Sequence, residues 1–303
     1  MALAETCSRC LAARDRPHVE WAWPFRQCDF LSGAAQMIPR TRVDAESAIK
    51  VCANMPVDRF DLTACALACA IHEHPDRDLS EALSVLDQLT TLAQQRKPQT
   101  ASALTQLIFG EMGFAGSTKD FDDPGNADLI SILKARAGLP IGLGVIWRHV
   151  ARLSQAALHG VDSPGHFLLR LESNDGPIFI DPLAGGAIVD EVGLSEIANR
   201  VGIKALSEAM LAPVSDRVMA VRLQTNLAAR ARASGQIDAW LRAAFRRALL
   251  APDHYQVAHD YSQAAEAAGQ IHIALEWAHR ASQLQGYTQA DRDRTQTLRH
   301  KLN

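Results

Sequence analysis

Cysteine is missing from the last three-quarters of the chain: Cys7, Cys10, Cys28, Cys52, Cys65 and Cys69 are all six of its cysteines in 303 residues. At this length roughly 75% of the unfolded surface can be buried, so neither disulfides nor a structural metal is needed to compensate for smallness, and no cofactor is called for. An excess of charge of either sign is missing too. Thirty-one Lys and Arg against 34 Asp and Glu leave a formal charge of −3, which gives no broad electrostatic reason to expect nucleic acid or an anionic membrane as partner. From Pro213 onward twelve Lys and Arg face eight Asp and Glu, a local +4 too small to change that. There is no long apolar run: LTACALACAI is ten residues, about half of what a hydrocarbon core demands. With no apolar leader and cleavage signal, the expectation is a cytoplasmic protein with reduced thiols. GxGxxG, Walker A, the protein-kinase set and the GxSxG elbow are absent, and His72 and His74 around Glu73 do not make HExxH.

What is present is mostly helical. The first 40 residues, with CSRC and WAWPF, hold no sustained period; Cys7-x-x-Cys10 with His18 and Cys28 lacks a familiar closed zinc pattern. Residues 44–55 and 61–74 read as helices closed by Pro56 and Pro75, the second capped by Asp61. Cys65 and Cys69 share a face of that helix, where small-residue packing is the expectation. Leu79, Leu83, Leu86, Leu89 and Leu92 mark the next helix, residues 101–114 another, and residues 117–129 an acidic loop with Asp120, Asp122, Asp123, Asn126 and Asp128. A long apolar stripe makes residues 141–158 a helix despite Gly142 and Gly144.

The pattern then changes to HFLLRLE and PIFIDP, two β-type runs joined by the turn sequence SNDG. A hairpin brings the two ends of this motif together: His166 opens the first run and Asp181 closes the second. Asp181 could then orient an imidazole able to exchange a proton near neutral pH, although a hydrogen-bonded core histidine is the competing reading. Helices follow at residues 194–202 and around 206–210. Beyond a boundary near residues 212–215, GQIDAWLRAAFRRALL at Gly235 corresponds to GQIHIALEWAHRASQL at Gly269, an offset of 34 residues.

The strings FGEMGFAGSTKDFDDPGNADLISILKARAGLPIGLGVIW, GVDSPGHFLLRLE and PIFIDPLAGG together resemble the SirB1 family, whose members join a transglutaminase-like domain to tetratricopeptide-like helices. The resemblance implies an α+β fold: an irregular segment 1–40, a papain-like transglutaminase core over residues 41–212 with leading helices, and a C-terminal tetratricopeptide-like α-helical extension over 213–303. It also implies that His166 and Asp181 match the catalytic His and Asp of transglutaminase-like enzymes. Where their nucleophile belongs, GLPIGLGVIW offers Gly142 and Gly144 instead of Cys or Ser, so covalent acyl transfer lacks its attacking atom. Asp123, Asn126, Asp128, Gly142 and Gly144 are the remaining pocket candidates, Gly142 being expected to leave an opening that faces the imidazole, with His149 two turns further along the helix. The expected function is binding of a protein or small ligand by a domain without its nucleophile. The alternative is an amide or ester hydrolase, or acyl transferase, using His166 and Asp181 with a displaced Cys or an activated water.

Overall fold

LTACALACAI carries small and apolar residues on every side, and the helix it forms has no face for water. In the computed structural model, which describes residues 38–117 and 123–302, this helix lies at the centre. The chain from Pro39 on is one compact unit. Cys7, Cys10, His18 and Cys28, and Asp120 and Asp122, lie outside the described residues. Helix α1 (Arg42–Asn54) opens with a capping box between Thr41 and Asp44, and α2 (Leu62–Glu73) with Asp61 accepting from the Ala64 amide at 2.9 Å. Every α2 residue from Leu62 to His72 is buried. Helix α3 (Ser80–Arg96) follows. Then α4 (Ala101–Thr105) widens into a π-helical turn over Gln106–Glu111, where one continuous helix was expected.

A parallel pair of two-residue strands, β1 (Ala115–Gly116) and β2 (Ala137–Gly138), brackets α5 (Leu129–Ala135) and leads into α6 (Pro140–Ser154). The apolar pattern predicts this last helix to residue 158. It stops four residues earlier because Gln155 turns left-handed at φ 58, and the residues beyond form a strand that the pattern does not separate from the helix. That strand, β3 (Leu158–Ser163), begins an antiparallel sheet completed in order by β4 (His166–Leu171), β5 (Ile178–Asp181) and β6 (Ala187–Val189). The expected hairpin is β4–β5, with Leu169 opposite Ile180. Helix α7 (Glu191–Arg200) covers one sheet face through Ile197, which clusters with Val161, Leu168 and Phe179. The other face meets α6 and α8 (Asp216–Ala233), where the sites of side chains absent from Gly144 and Gly160 look onto Phe167 and Met219.

Helices α9 (Ile237–Leu250), α10 (Tyr255–Ala267), α11 (Ile271–Ser282) and α12 (Gln289–Leu302) continue from α8, each packed on the one before. The 34-residue offset recurs in the backbone. Gly235 and Gly269 take φ 70 and 72, and the next residues, Gln236 and Gln270, each donate to an alanine carbonyl five residues back at 2.8 Å.

Burial of α2 on all sides leaves its last turn with polar groups that cannot reach water, and distant elements satisfy them. Arg42 donates through Nε to the His72 carbonyl at 2.9 Å. Arg242 and Arg246 of α9 both grip the Glu73 carboxylate at 2.6 Å, and Arg246, 1% exposed, also donates to Gln224 of α8 at 2.6 Å and lies 3.3 Å from His72 Nδ1. Burial, helped by the charges of Arg246 and Arg42, pushes His72 down to about 4, so its ring is neutral at pH 7 and accepts from Arg246. Removing one partner of a buried ion pair strands the other. Glu73→Ala is therefore expected to cost about 3–5 kcal/mol, measured as a fall in the urea midpoint at unchanged m-value.

Candidate functional site

The chain reaches the site through a tight turn. Pro164 and Gly165 join β3 to β4, with Gly165 at φ 69, the residue types and sign of a type II turn. Ser163 Oγ secures the turn by donating to the His166 carbonyl at 2.7 Å. At the end of β5, Asp181 Oδ1 accepts from the Leu183 and Ala184 amides at 2.8 and 3.3 Å, while Oδ2 lies 2.9 Å from His166 Nε2. Both side chains are about 85% buried, with exposures of 14% and 15%. Burial alone would raise the Asp181 carboxyl. The hydrogen bond and charge of His166, with the two turn amides, outweigh it and hold the group below its ordinary value. An ionised carboxylate can only accept, so Nε2 carries the proton and Nδ1 is the ring atom left to meet another molecule. Among the described residues Asp181 is the ring's side-chain partner. Ser163 and the two amides were not singled out from sequence, although the string DPLA, with an Asp just before a proline turn, is the signal for the amides.

Side chains alternate along a strand, and this separates His166 from the glycines of α6 that the sequence pattern places opposite it. Phe167 points at α6, where its Cε1 stands 2.6 Å from the place a Cβ on Gly144 would take. Leu168 points the other way, into the cluster with Ile197. His166 shares the side of Leu168, and Asp181 that of Phe179, so the pair projects from the α7 face. The expected opening at Gly142 is corrected: a Cβ there would stand 2.3 Å from Ile132 Cδ1 and 3.5 Å from the Asn126 carbonyl oxygen. Gly142 and Gly144 are both buried, and they fit α6 against Ile132 and Phe167.

The other candidates have structural partners. Asp123 accepts from the Gly125 amide at 2.8 Å, and the Asn126 carbonyl accepts from Leu139 at 2.8 Å. Asp128, buried, caps α5 through the Ser131 amide at 2.8 Å and pairs with Arg77 at 2.6 Å. His149 turns toward α3, 2.9 Å from Thr90 Oγ1, and burial, with the nearby Arg152 charge, pushes it down to about 4. Cys52, Cys65 and Cys69 are free and buried between α1 and α2. Hydrogen bonds to Cys52 and Cys69, together with burial, push the Cys65 thiol well up, away from thiolate character. Among the described residues no group of three or more His, Cys, Asp or Glu is placed to hold a metal, and no helix is long and apolar enough to cross a membrane.

Residues 78–225 match the family described as the transglutaminase-like superfamily, so the α+β core that carries His166 and Asp181 is transglutaminase-like. The chain belongs to the UPF0162 family: it is 33% identical over 198 residues to a UPF0162 protein of Xylella fastidiosa, covering 62% of this chain and 69% of that one. A UPF0162 protein of Pseudomonas aeruginosa is 30% identical over 193 residues, covering 62% and 71%. A shorter stretch of 72 residues is 31% identical to F-box only protein 21 of Mus musculus, 24% of this chain and 12% of that protein.

Two outcomes follow from this geometry. Gly144→Ala drives a methyl into the Phe167 ring, held between sheet and helix, and is expected to cost about 1–3 kcal/mol. Gly142→Ala meets only the rotatable end of Ile132 and gains helix propensity, so its cost stays below about 1 kcal/mol; thermal melts of the two variants check the order. Asp181, with its folded value depressed, contributes stability that is present above the unfolded carboxylate value and lost as pH falls through the folded one. Asp181→Ala should thus be destabilised by about 1–3 kcal/mol at pH 7 and approach the wild type in acid, as read by urea unfolding across pH 7 to 3.

Proposed function

We propose that this transglutaminase-like protein works by non-covalent recognition of a protein or small ligand, with His166 and Asp181 as its polar centre. The observation that carries the reading is the packing at the start of α6: the positions where a nucleophile belongs are glycines, and the volumes beside them are occupied by Ile132 and Phe167. The described thiols give the same support, since they are buried between α1 and α2 and the Cys65 thiol is held protonated. With Nε2–H committed to Asp181, an unprotonated Nδ1 would accept, so this reading calls for a ligand that brings an N–H or O–H donor there. On this reading the finer resemblance to SirB1-type chains also holds. The helix pairs α8–α9 and α10–α11, with their matching glycine turns, form a tetratricopeptide-like extension over residues 213–303 beside a core over residues 41–212, and the protein acts in the cytoplasm.

The ordered imidazole–carboxylate pair gives one specific reason to keep a second reading, in which His166 activates water toward an amide or ester. A single experiment separates the two. With the imidazole nitrogens labelled, candidate ligands, including amide and ester donors, are titrated while turnover and intact mass are followed. Recognition predicts that a bound ligand shifts His166 Nδ1 without turnover or acyl adduct, and that Asp181→Asn weakens binding about tenfold. Hydrolysis abolished by His166→Ala would establish the second reading, and an acyl adduct on any cysteine would overturn both.

A further inference from the structure

We propose that α12 is a detachable latch, an intramolecular occupant of a helix-binding groove on α10 and α11, held in place chiefly by polar contacts. A helix docked for good normally brings an apolar stripe at least a quarter-turn wide. Here the inward positions of α12 are Asp291, Thr295 and Leu298, and of these Leu298 alone is apolar. It is fully buried against Ala265, Ala274 and Ala278, with Ile271, Ile273 and Leu275 beside them.

The rest of the attachment is a set of hydrogen bonds. Asp291, 6% exposed, accepts from Tyr255 at 2.7 Å, lies 2.9 Å from His259 Nδ1, and accepts from the Thr288 amide and hydroxyl at 2.7 and 2.6 Å. Arg294 donates through Nε to Glu266 at 3.0 Å and through Nη1 to Ser262 at 3.0 Å, and Lys301 pairs with the same carboxylate at 2.8 Å. His259 is engaged on both ring nitrogens, with Gln263 3.0 Å from Nε2, so the cluster serves attachment rather than chemistry. The ion pairs of Arg294 and Lys301 on the part-exposed Glu266 are the contacts weakened by salt, and a free 14-residue polar helix is only marginally stable in water. Undocking therefore needs far less than global unfolding. What it uncovers is an alanine-floored groove with a free carboxylate, Glu266, at its rim. The complementary partner is an amphipathic helix with small or aliphatic anchors at i, i+4 and i+7 and a cationic residue toward Glu266.

Hydrogen exchange of the full-length chain tests this. The α12 amides are expected to exchange about tenfold faster in 1 M than in 0.05 M NaCl while those of α2 and α6 keep their rates. In Asp291→Ala the protection of α12 should disappear with that of α6 intact. A fluorescent peptide of residues 286–302 carrying Asp291→Leu and Thr295→Leu should bind that variant at least tenfold more tightly than the wild type, because in the wild type the tethered helix competes for the groove. Exchange of α12 in step with α10 and α11 under all conditions overturns the proposal, as does equal peptide affinity for the two chains. If Asp291→Ala does not fold, the exposed change Lys301→Ala decides by the same readout: faster α12 exchange supports the latch and unchanged exchange refutes it.

Discussion

A helix buried on every side must have its ends satisfied by protein, and this constraint on α2 organises the rest of the molecule. Its N-terminus is met locally by Asp61. Its C-terminus is met by Arg42 from α1 and by Arg242 and Arg246 from an element more than 150 residues further along the chain, with Gln224 of α8 accepting from Arg246 behind them. The cost of leaving Glu73 or Arg246 unpaired in this position is what ties the C-terminal helices to the core. Phe245, with its ring centroid 5.9 Å from that of His72, adds apolar contact beside the same junction. A second tie, Arg148 of α6 to Asp216 at 2.7 and 2.8 Å, fixes the start of α8 against the helix that underlies the sheet.

The sheet imposes the other constraint. Phe167 and His166 are neighbours in sequence and face opposite ways, so one residue seals the sheet against α6 while the next presents a polar ring on the α7 side. Gly144 suits the first of these tasks, since it lets a phenyl ring approach the helix backbone, as a glycine inside a helix often does where another group comes close. The glycine at this point and the close packing of the core are then two descriptions of one fact. A helix start so packed has no room for a substrate carbon beside it unless Ile132 or Phe167 moves.

Much of this was legible in the sequence where the signal is local. The α2 cap, the β4–β5 hairpin that joins His166 to Asp181, and the 34-residue offset depend on residue types at short spacing, and each has its counterpart in the backbone. Strand β3 was hidden because α6 ends on Gln155 in the left-handed region rather than on glycine, so the apolar pattern ran on into it. Strand β6 is three residues long and follows two glycines, too short for a period. The packing of Gly142 and Gly144 was beyond reach for a different reason: a missing side chain says nothing about which neighbour takes the volume. The polar network at the end of α2 was equally hidden, because Arg246 and His72 are 174 residues apart.

The His166–Asp181 pair has a dual character that bears on how such sites persist. Asp181 accepts from two turn amides as well as from the imidazole, so it would hold the end of β5 in place with no reaction to serve. The imidazole in turn gives a largely buried carboxylate the partner its burial demands. Geometry that also stabilises the turn can therefore outlast a change of chemistry. The Nε2 contact is explained by folding alone and does not discriminate between binding and catalysis. Discrimination rests on Nδ1, the atom that folding leaves unused, and on whether what meets it is a donor held in place or a water made to react.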